Sequence, residues 1–140
     1  MNIYVLDTDV AGFWQKDHPT VMGYARSLPK GTPVVTTIVT FGEDLSGWLP
    51  DCRRARSGEA RAKAYDRIQK GLDFYKRISC LSFIIEAAVI FDRLRKQKVR
   101  IGTNDLAIAA ITLSVNAILV TRNKVDFERV PNLAIEDWTN

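Results

Sequence analysis

Short apolar runs alternate along the chain with longer stretches whose apolar residues recur at helical spacing. The short runs are rich in β-branched and aliphatic residues, which is typical of buried strands. They lie at residues 2–6, 33–39, 78–81, 117–121 and 133–135. Strands that alternate with helices form parallel sheets through right-handed crossovers. The pattern therefore predicts an α/β fold built on a parallel sheet.

A segment in the second half of the chain carries the clearest part of this pattern. After Asn104 and Asp105, which are both good first-turn residues, an almost unbroken apolar run continues to Val115. This run predicts a helix that is buried on nearly every side, and the short apolar strand at 117–121 follows it. A buried helix leading into a strand that is apolar on both faces belongs inside an α/β sandwich.

The composition is that of one globular domain spanning residues 1–140, with 46% hydrophobic and 26% charged residues. No apolar run approaches the roughly 20 residues that span a bilayer, and the chain opens directly into a strand, so we expect a cytoplasmic protein without a membrane partner. Cys52 and Cys80 are isolated, which predicts free thiols. His18 is the only histidine and lies far from every acid discussed below, which disfavours histidine general-base chemistry.

Positive charge is concentrated in one segment of a chain whose net charge is +4. Between Arg53 and Arg77 there are nine basic and three acidic residues, so this segment carries +6 and the remainder −2. The excess suggests an anionic partner such as nucleic acid. Its candidate RNA contacts are Arg53, Arg54, Arg56, Arg61 and Lys63. A solvated helix face with charge pairs four residues apart explains the same composition equally well.

Four acidic residues occupy comparable places, at the ends of predicted strands or the starts of predicted helices. Asp7 ends the first strand, Glu43 lies in the first turn of the helix after the second strand, Asp105 opens the apolar helix, and Asp126 follows the strand at 117–121. In a parallel sheet these positions can converge at the carboxyl edge, where α/β folds bind ligands. Crowded carboxylates repel, and a divalent cation removes the conflict. Ligands that are all oxygen favour Mg²⁺ or Mn²⁺ over zinc.

Each acid also has a purely structural explanation. Thr40 and Glu43 have the spacing of a capping box, at the start of a helix predicted to end before Pro50. The other acids are explained by an N-cap at Asn104 or Asp105, an Asx turn at Asp7 and a helical turn at Asp126. Taken together these explanations weaken, because a fold rarely needs several caps that point at one place.

The segments around the four acids resemble the PIN domain, and most closely the VapC-type toxin ribonucleases. They read IYVLDTDV around Asp7, TFGEDLSG around Glu43, IGTNDLAIAA around Asp105 and ILVTRNKVDFERVPNLAIEDW around Asp126. The resemblance covers nearly the whole chain, and the last two segments together are specific. Asp9 stands where asparagine is common in that family, and Gly42 where alanine is common. Neither departure removes an acid.

The resemblance implies a three-layer α/β/α sandwich with a central parallel sheet, and the activity of a Mg²⁺- or Mn²⁺-dependent endoribonuclease. The quartet that holds the metal, and with it the water that attacks the RNA phosphodiester, corresponds to Asp7, Glu43, Asp105 and Asp126. Thr121 and Asn123 fall in the accompanying TRN turn as supporting donors. The resemblance also implies a homodimer and inhibition by a VapB-type antitoxin within a type II toxin–antitoxin pair.

Other functions stay open at this point. The segment from Asp7 to Val10 resembles the DxDxV motif of haloacid-dehalogenase-type phosphatases, in which Asp7 would be the nucleophile and Asp9 the acid and base. The later acidic motif of that family is matched only faintly, because Thr103 stands where its acid is expected. A PIN-fold domain that binds RNA or protein without catalysis is a second alternative. A nuclease that acts on DNA or a flap structure is a third.

Overall fold

The computed structural model describes all 140 residues, and its centre is a five-stranded sheet in which every neighbouring pair is parallel. The strands are β1 (Tyr4–Leu6), β2 (Val34–Thr37), β3 (Cys80–Leu81), β4 (Ile118–Val120) and β5 (Ala134–Glu136). Their order across the sheet is β3-β2-β1-β4-β5. The first strand is therefore the central one.

Seven helices connect the strands. They are α1 (Thr8–Gln15), α2 (Pro19–Ser27), α3 (Ile38–Arg54), α4 (Gly58–Arg77), α5 (Ile85–Lys96), α6 (Thr103–Ser114) and α7 (Lys124–Phe127). None of them combines the length and the apolar character that a membrane crossing requires.

Separate apolar cores cover the two faces of the sheet. Val5 and Leu119 pack in one core with residues of α5, α6 and α7, whereas Tyr4 and Leu6 pack in the other with residues of α1, α2 and α4. Neighbouring residues of β1 thus enter opposite cores, as the two-residue period of a strand requires. The three-layer α/β/α fold class expected from the sequence is confirmed.

The strand order reverses between β1 and β4, which leaves a crevice at their carboxyl ends. Leu6 and Val120 are register partners at the end of these two strands. Asp7 follows at once, and its N–H donates to the carbonyl of Val120 at 3.0 Å. The sheet itself therefore fixes the first acid at the crevice.

Helix α3 differs from the sequence prediction at both ends. It was expected to start at Thr40 and stop before Pro50, but it begins at Ile38 and runs through the proline. It starts early because Thr37 is the N-cap, and its hydroxyl accepts a hydrogen bond from the N–H of Thr40 at 3.1 Å. A proline inside a helix costs about 3 kcal/mol. The helix nevertheless continues: α3 packs against α4, and Cys52, in the turn after the proline, is buried.

Single residues outside the crevice also have defined places. Cys52 and Cys80 are both free thiols. His18 is not an open loop residue, because it caps α2 and its Nδ1 accepts a hydrogen bond from the N–H of Val21 at 3.4 Å. Its ring packs against Phe13, with the ring centroids 5.1 Å apart. His18 therefore has a structural role away from the acids.

Helices α3 and α4 pack closely because Gly71 lies under the indole of Trp48. A Cβ atom at Gly71 would overlap the six-membered ring of Trp48, whereas a Cβ at Gly47, on α3, would meet nothing within 4 Å. The close contact between the two helices therefore depends on the missing side chain at Gly71.

We expect Gly71→Ala to lower the free energy of unfolding by about 1–3 kcal/mol, because overpacking the Trp48 contact outweighs the gain in helix propensity. Gly47→Ala is the matched control and should raise it by about 0.5–1 kcal/mol. Urea denaturation of both variants measures the difference. Equal stabilisation by the two substitutions would contradict the packing argument.

Candidate active site

Asp7 is the most buried of the four acids, with 6% of its surface exposed. It caps α1, and its Oδ1 accepts a hydrogen bond from the N–H of Val10 at 2.9 Å. Burial raises the pKa of its carboxyl from 3.8 to about 6, against the lowering effect of hydrogen bonds from Thr121 and Val10. The charges of Asp9 and Asp105 add to the rise. Asp7 therefore forms an N-cap where the sequence suggested an Asx turn, and neither explains its burial beside two other acids.

Asp105 lies in the first turn of α6 but does not cap it. The N-cap is Gly102, and no side chain makes a capping bond. Burial raises the pKa of Asp105, and the charges of Glu43, Asp126 and Asp9 raise it further. Asp105 is therefore close enough to acids from three other segments to feel each of them.

Glu43 is directed toward α1. The predicted place in the first turn is wrong, because Thr37 caps α3 and Glu43 lies in the second turn. The alternative, a capping box with Thr40, is therefore absent. The Oε1 atom of Glu43 instead accepts a hydrogen bond from the Thr8 hydroxyl at 2.6 Å. Since Thr8 directly follows Asp7, this bond ties the second acid to the neighbour of the first.

Asp44 makes contacts different from those of Glu43. Its Oδ2 accepts hydrogen bonds from the Tyr75 hydroxyl and from Gln15 Nε2 at 3.2 Å. Arg67 donates in turn to Gln15 Oε1 at 3.1 Å. Burial raises the pKa of Asp44, and the bonds from Tyr75 and Gln15 lower it. The network joins α1, α3 and α4 and braces the helix that carries Glu43.

The turn after β4 holds Asp126. Its Oδ2 accepts a hydrogen bond from Asn123 Nδ2 at 2.9 Å, and its Oδ1 lies 3.5 Å from Arg129 Nη1. Thr121 is buried, and its Oγ1 accepts a hydrogen bond from the N–H of Asn123 at 2.9 Å. Because Thr121 also lowers the pKa of Asp7, the turn connects two acids of the crevice.

The crevice thus brings all four predicted acids, Asp7, Glu43, Asp105 and Asp126, within electrostatic reach of one another through Asp105. No three of them lie close enough, as the side chains stand, to hold one ion between them. The set still fits a hard divalent cation, because every donor is oxygen and the mutual repulsion is what a cation relieves. Mg²⁺ is usually bound through one or two carboxylates and keeps several waters, so a three-carboxylate cage is not required.

The cations predicted to bind RNA lie apart from the acids, around the connection between α3 and α4. All five are exposed, namely Arg53, Arg54, Arg56, Arg61 and Lys63. Two of them form exposed ion pairs within their own helix. Arg54 ends α3, about 16 Å along the helix axis from Glu43. The structure therefore does not bring this group to the crevice.

Two side chains at the crevice were not expected from the sequence, Thr8 and Arg122. Arg122 Nε donates to Asp9 Oδ2 at 3.3 Å, just as Thr8 donates to Glu43. The partners are 113 and 35 residues apart, so no local pattern reports them. The available signals were that Thr8 directly follows Asp7 and that Arg122 stands between Thr121 and Asn123.

Comparison with known proteins assigns this arrangement to a family. The PIN domain family matches residues 4–133. The chain belongs to the PIN-domain family. In a PIN domain the phosphatase alternative has little support, and here Asp9, its required acid and base, is held in an ion pair with Arg122.

Within the PIN family the chain groups with the VapC ribonucleases. It is 30% identical over 139 residues to Ribonuclease VapC1 of Haemophilus influenzae strain R2866, covering 98% of each protein. It is 28% identical over 142 residues to Ribonuclease VapC2 of Rickettsia felis, covering 97% of this chain and 98% of the relative. The structure of VapBC-1 from nontypeable Haemophilus influenzae matches with a TM-score of 0.79 and 26% identity over 99% of each chain.

The raised pKa of Asp7 should make the metal-free protein less stable as the pH rises. The folded chain holds this proton up to about pH 6 and the unfolded chain only to about pH 4, so stability falls between these values. The loss from Asp7 is about 3 kcal/mol. Asp7→Asn keeps an oxygen to cap α1 and carries no charge. It should therefore match the parent near pH 4 and exceed its stability above pH 6.5.

Urea denaturation in EDTA at pH 4, 5.5 and 7.5 measures this difference. Asp105 titrates in the same direction and is present in both proteins, so it enters the difference only through its repulsion of Asp7. A stability difference that does not change with pH would mean that Asp7 is not a strained carboxylate.

Proposed function

We propose that this chain is a Mg²⁺- or Mn²⁺-dependent endoribonuclease and acts as the toxin of a VapBC-type toxin–antitoxin pair. The observation that carries the proposal is the electrostatic coupling of four acids from separate segments at the switch point of a PIN fold. The names of the curated relatives, which are ribonucleases, support RNA as the substrate. The proposal does not specify which RNA is the target.

The four acids have different roles in this proposal. Asp7 and Asp105 hold the cation most directly, because their pKa values are raised and a positive charge would lower them again. Glu43 and Asp126 complete the site by direct or water-mediated contacts. Thr8 orients Glu43, and Asn123 orients Asp126, through hydrogen bonds of 2.6 and 2.9 Å. Thr121 supports the end of β4 beside Asp7.

A divalent cation, when bound, lowers the pKa of a water molecule and stabilises charge on the leaving oxygen of a phosphodiester. The protein supplies the rigid oxygen donors and their orientation. The exposed cations at the α3–α4 connection contribute affinity for the RNA backbone away from the cut, and this contribution weakens with salt.

A VapB-type antitoxin is the proposed protein partner, because the chain resembles the solved structure of VapBC-1 from nontypeable Haemophilus influenzae. We also propose a homodimer and a cytoplasmic location. An exposed apolar patch at the start of α5 supports self-association, since patches of this kind mark interaction surfaces. It is formed by Phe83, Ile84, Ile85 and Val89.

Asp7→Asn and Asp105→Asn should each reduce cleavage of a single-stranded RNA by at least about 100-fold, because each removes a charge that holds the cation. The measurement is the rate of product formation on gels with Mg²⁺ or Mn²⁺, and with EDTA as the metal-free control. Lys30→Gln, on an exposed loop before β2, serves as the protein control and should cut at the parent rate.

Cleavage at the parent rate by either aspartate variant would remove that residue from the proposed site. A parent protein that binds RNA but cuts none with either metal would support the non-catalytic alternative instead. Cleavage of DNA in preference to RNA would identify the third alternative.

Thr8→Val should lower kcat roughly tenfold with little change in KM, because Glu43 loses a charge-assisted hydrogen bond but the RNA loses no contact. Thr8→Ser keeps the hydroxyl and should restore most of the rate. A purely structural role for the Thr8 hydroxyl predicts instead that Thr8→Val loses stability in urea in proportion to its loss of kcat.

A further inference from the structure

Arg122 lies at the rim of the crevice, where its side chain contacts α1. It follows Thr121, the residue beside Asp7 where β4 and β1 end. Its Nε donates to Asp9 Oδ2 at 3.3 Å, and its guanidinium lies 5.1 Å from the centre of the Phe13 ring. Both partners belong to α1. The guanidinium therefore lies against α1 through an ion pair and a cation–π contact.

The terminal amino groups of Arg122 have no hydrogen-bond partner in the chain, and 55% of the side chain is exposed. Arg129, the other arginine near the acids, differs in this respect. Its Nη1 donates to the carbonyl of Arg100 at 2.8 Å and also lies near Asp126. Arg122 thus presents a pre-oriented pair of N–H donors, whereas Arg129 is engaged within the fold.

A cation at this rim has a clear electrostatic use. An RNA backbone approaching Asp7 and Asp105 meets repulsion, and Asp9 adds another negative charge at the same place. Pairing with Arg122 offsets the charge of Asp9 and leaves donors free for an incoming phosphate. Arginine suits this task because its planar fork can bind two phosphate oxygens at once.

We propose that Arg122 is a substrate-binding residue that grips the RNA phosphate next to the one being cut, with Asp9 and Phe13 as its positioning residues. The inference rests on the proposed ribonuclease function and extends it to a second phosphate subsite. It also explains why an aspartate is tolerated at position 9, since its charge is paired with Arg122 and positions that side chain.

The test uses an Asp7→Asn background, so that RNA is bound but not cut, and a fluorescent single-stranded RNA in Mg²⁺. Affinity is measured by anisotropy between 50 and 200 mM salt for Arg122→Gln, Arg122→Lys and Lys30→Gln added to this background. Arg122→Gln should weaken binding about tenfold and lower the slope of log affinity against log salt by about one. Arg122→Lys should keep the slope but lose affinity, because the charge remains and the fork is lost. Lys30→Gln removes the same charge far from the crevice and should change neither quantity.

In the otherwise unaltered enzyme, Arg122→Gln should raise KM about tenfold and leave kcat within a few-fold. Circular dichroism and urea denaturation check that the exposed substitution leaves the fold intact. Equal affinity and salt slope for Arg122→Gln and Lys30→Gln would overturn the proposal. So would a loss of antitoxin binding without any loss of RNA binding.

These outcomes are separable from failure of the ribonuclease function itself. If the parent cuts RNA but Arg122→Gln binds it normally, only the subsite is wrong. If the parent cuts no RNA with either metal, the function is wrong, and the binding assay shows whether any RNA affinity still depends on Arg122.

Discussion

The structure depends on one unfavourable burial, that of the Asp7 carboxylate at the end of the central strand. An isolated carboxylate that is almost fully buried is normally expensive. Here the cost is limited by the N–H of Val10 and by Thr121, yet the pKa still rises to about 6. The sheet leaves this residue no alternative position, because its own N–H is bonded across to β4. Backbone pairing fixes the buried Asp7 carboxylate in place, and the other acids of the crevice lie near it.

Hydrogen bonds from neighbouring side chains hold two of the other acids in position. Glu43 is held by Thr8, and Asp126 by Asn123, so each of these two acids is oriented by a neutral donor. Asp105 has no such partner and feels the charges of the others. Such an arrangement can accept a hydrated cation. The neutral donors orient the side chains, and the carboxylates supply the negative charge.

Charge is distributed over the molecule in two distinct ways. The cations of α4 and the α3–α4 connection form a broad exposed region, which acts at long range and weakly per residue. Arg122 is a single cation at the rim of the crevice that contacts Asp9 and Phe13. For an anionic polymer such as RNA, the broad exposed region speeds association with the protein. Arg122 instead helps to position the bound backbone at the crevice. A net charge of +4 is thus compatible with an acidic reaction centre.

The fold class and the four acids could be predicted from the sequence, because both depend on local signals. The periodicity of strands and helices can be recognised from residues close together in the sequence. Each acid lies near the end of a predicted strand or the start of a predicted helix. The start of α3 could not be predicted, since Thr37 and Thr40 are both good caps and the structure uses the first. The run of α3 through Pro50 could not be predicted either, and α3 packs there against a helix that lies later in the chain.

The partners within the crevice were decided by tertiary structure alone. Thr8 meets Glu43, and Asp9 meets Arg122, only because β1 pairs with β2 on one side and β4 on the other. The five cations expected to contact RNA were identified by composition, but composition carries no information on distance, and the fold puts them away from the acids. The sequence by itself determined which chemical groups this protein has and on which elements they lie. The parallel sheet decided which of them meet, because strand order joins residues that are far apart along the chain.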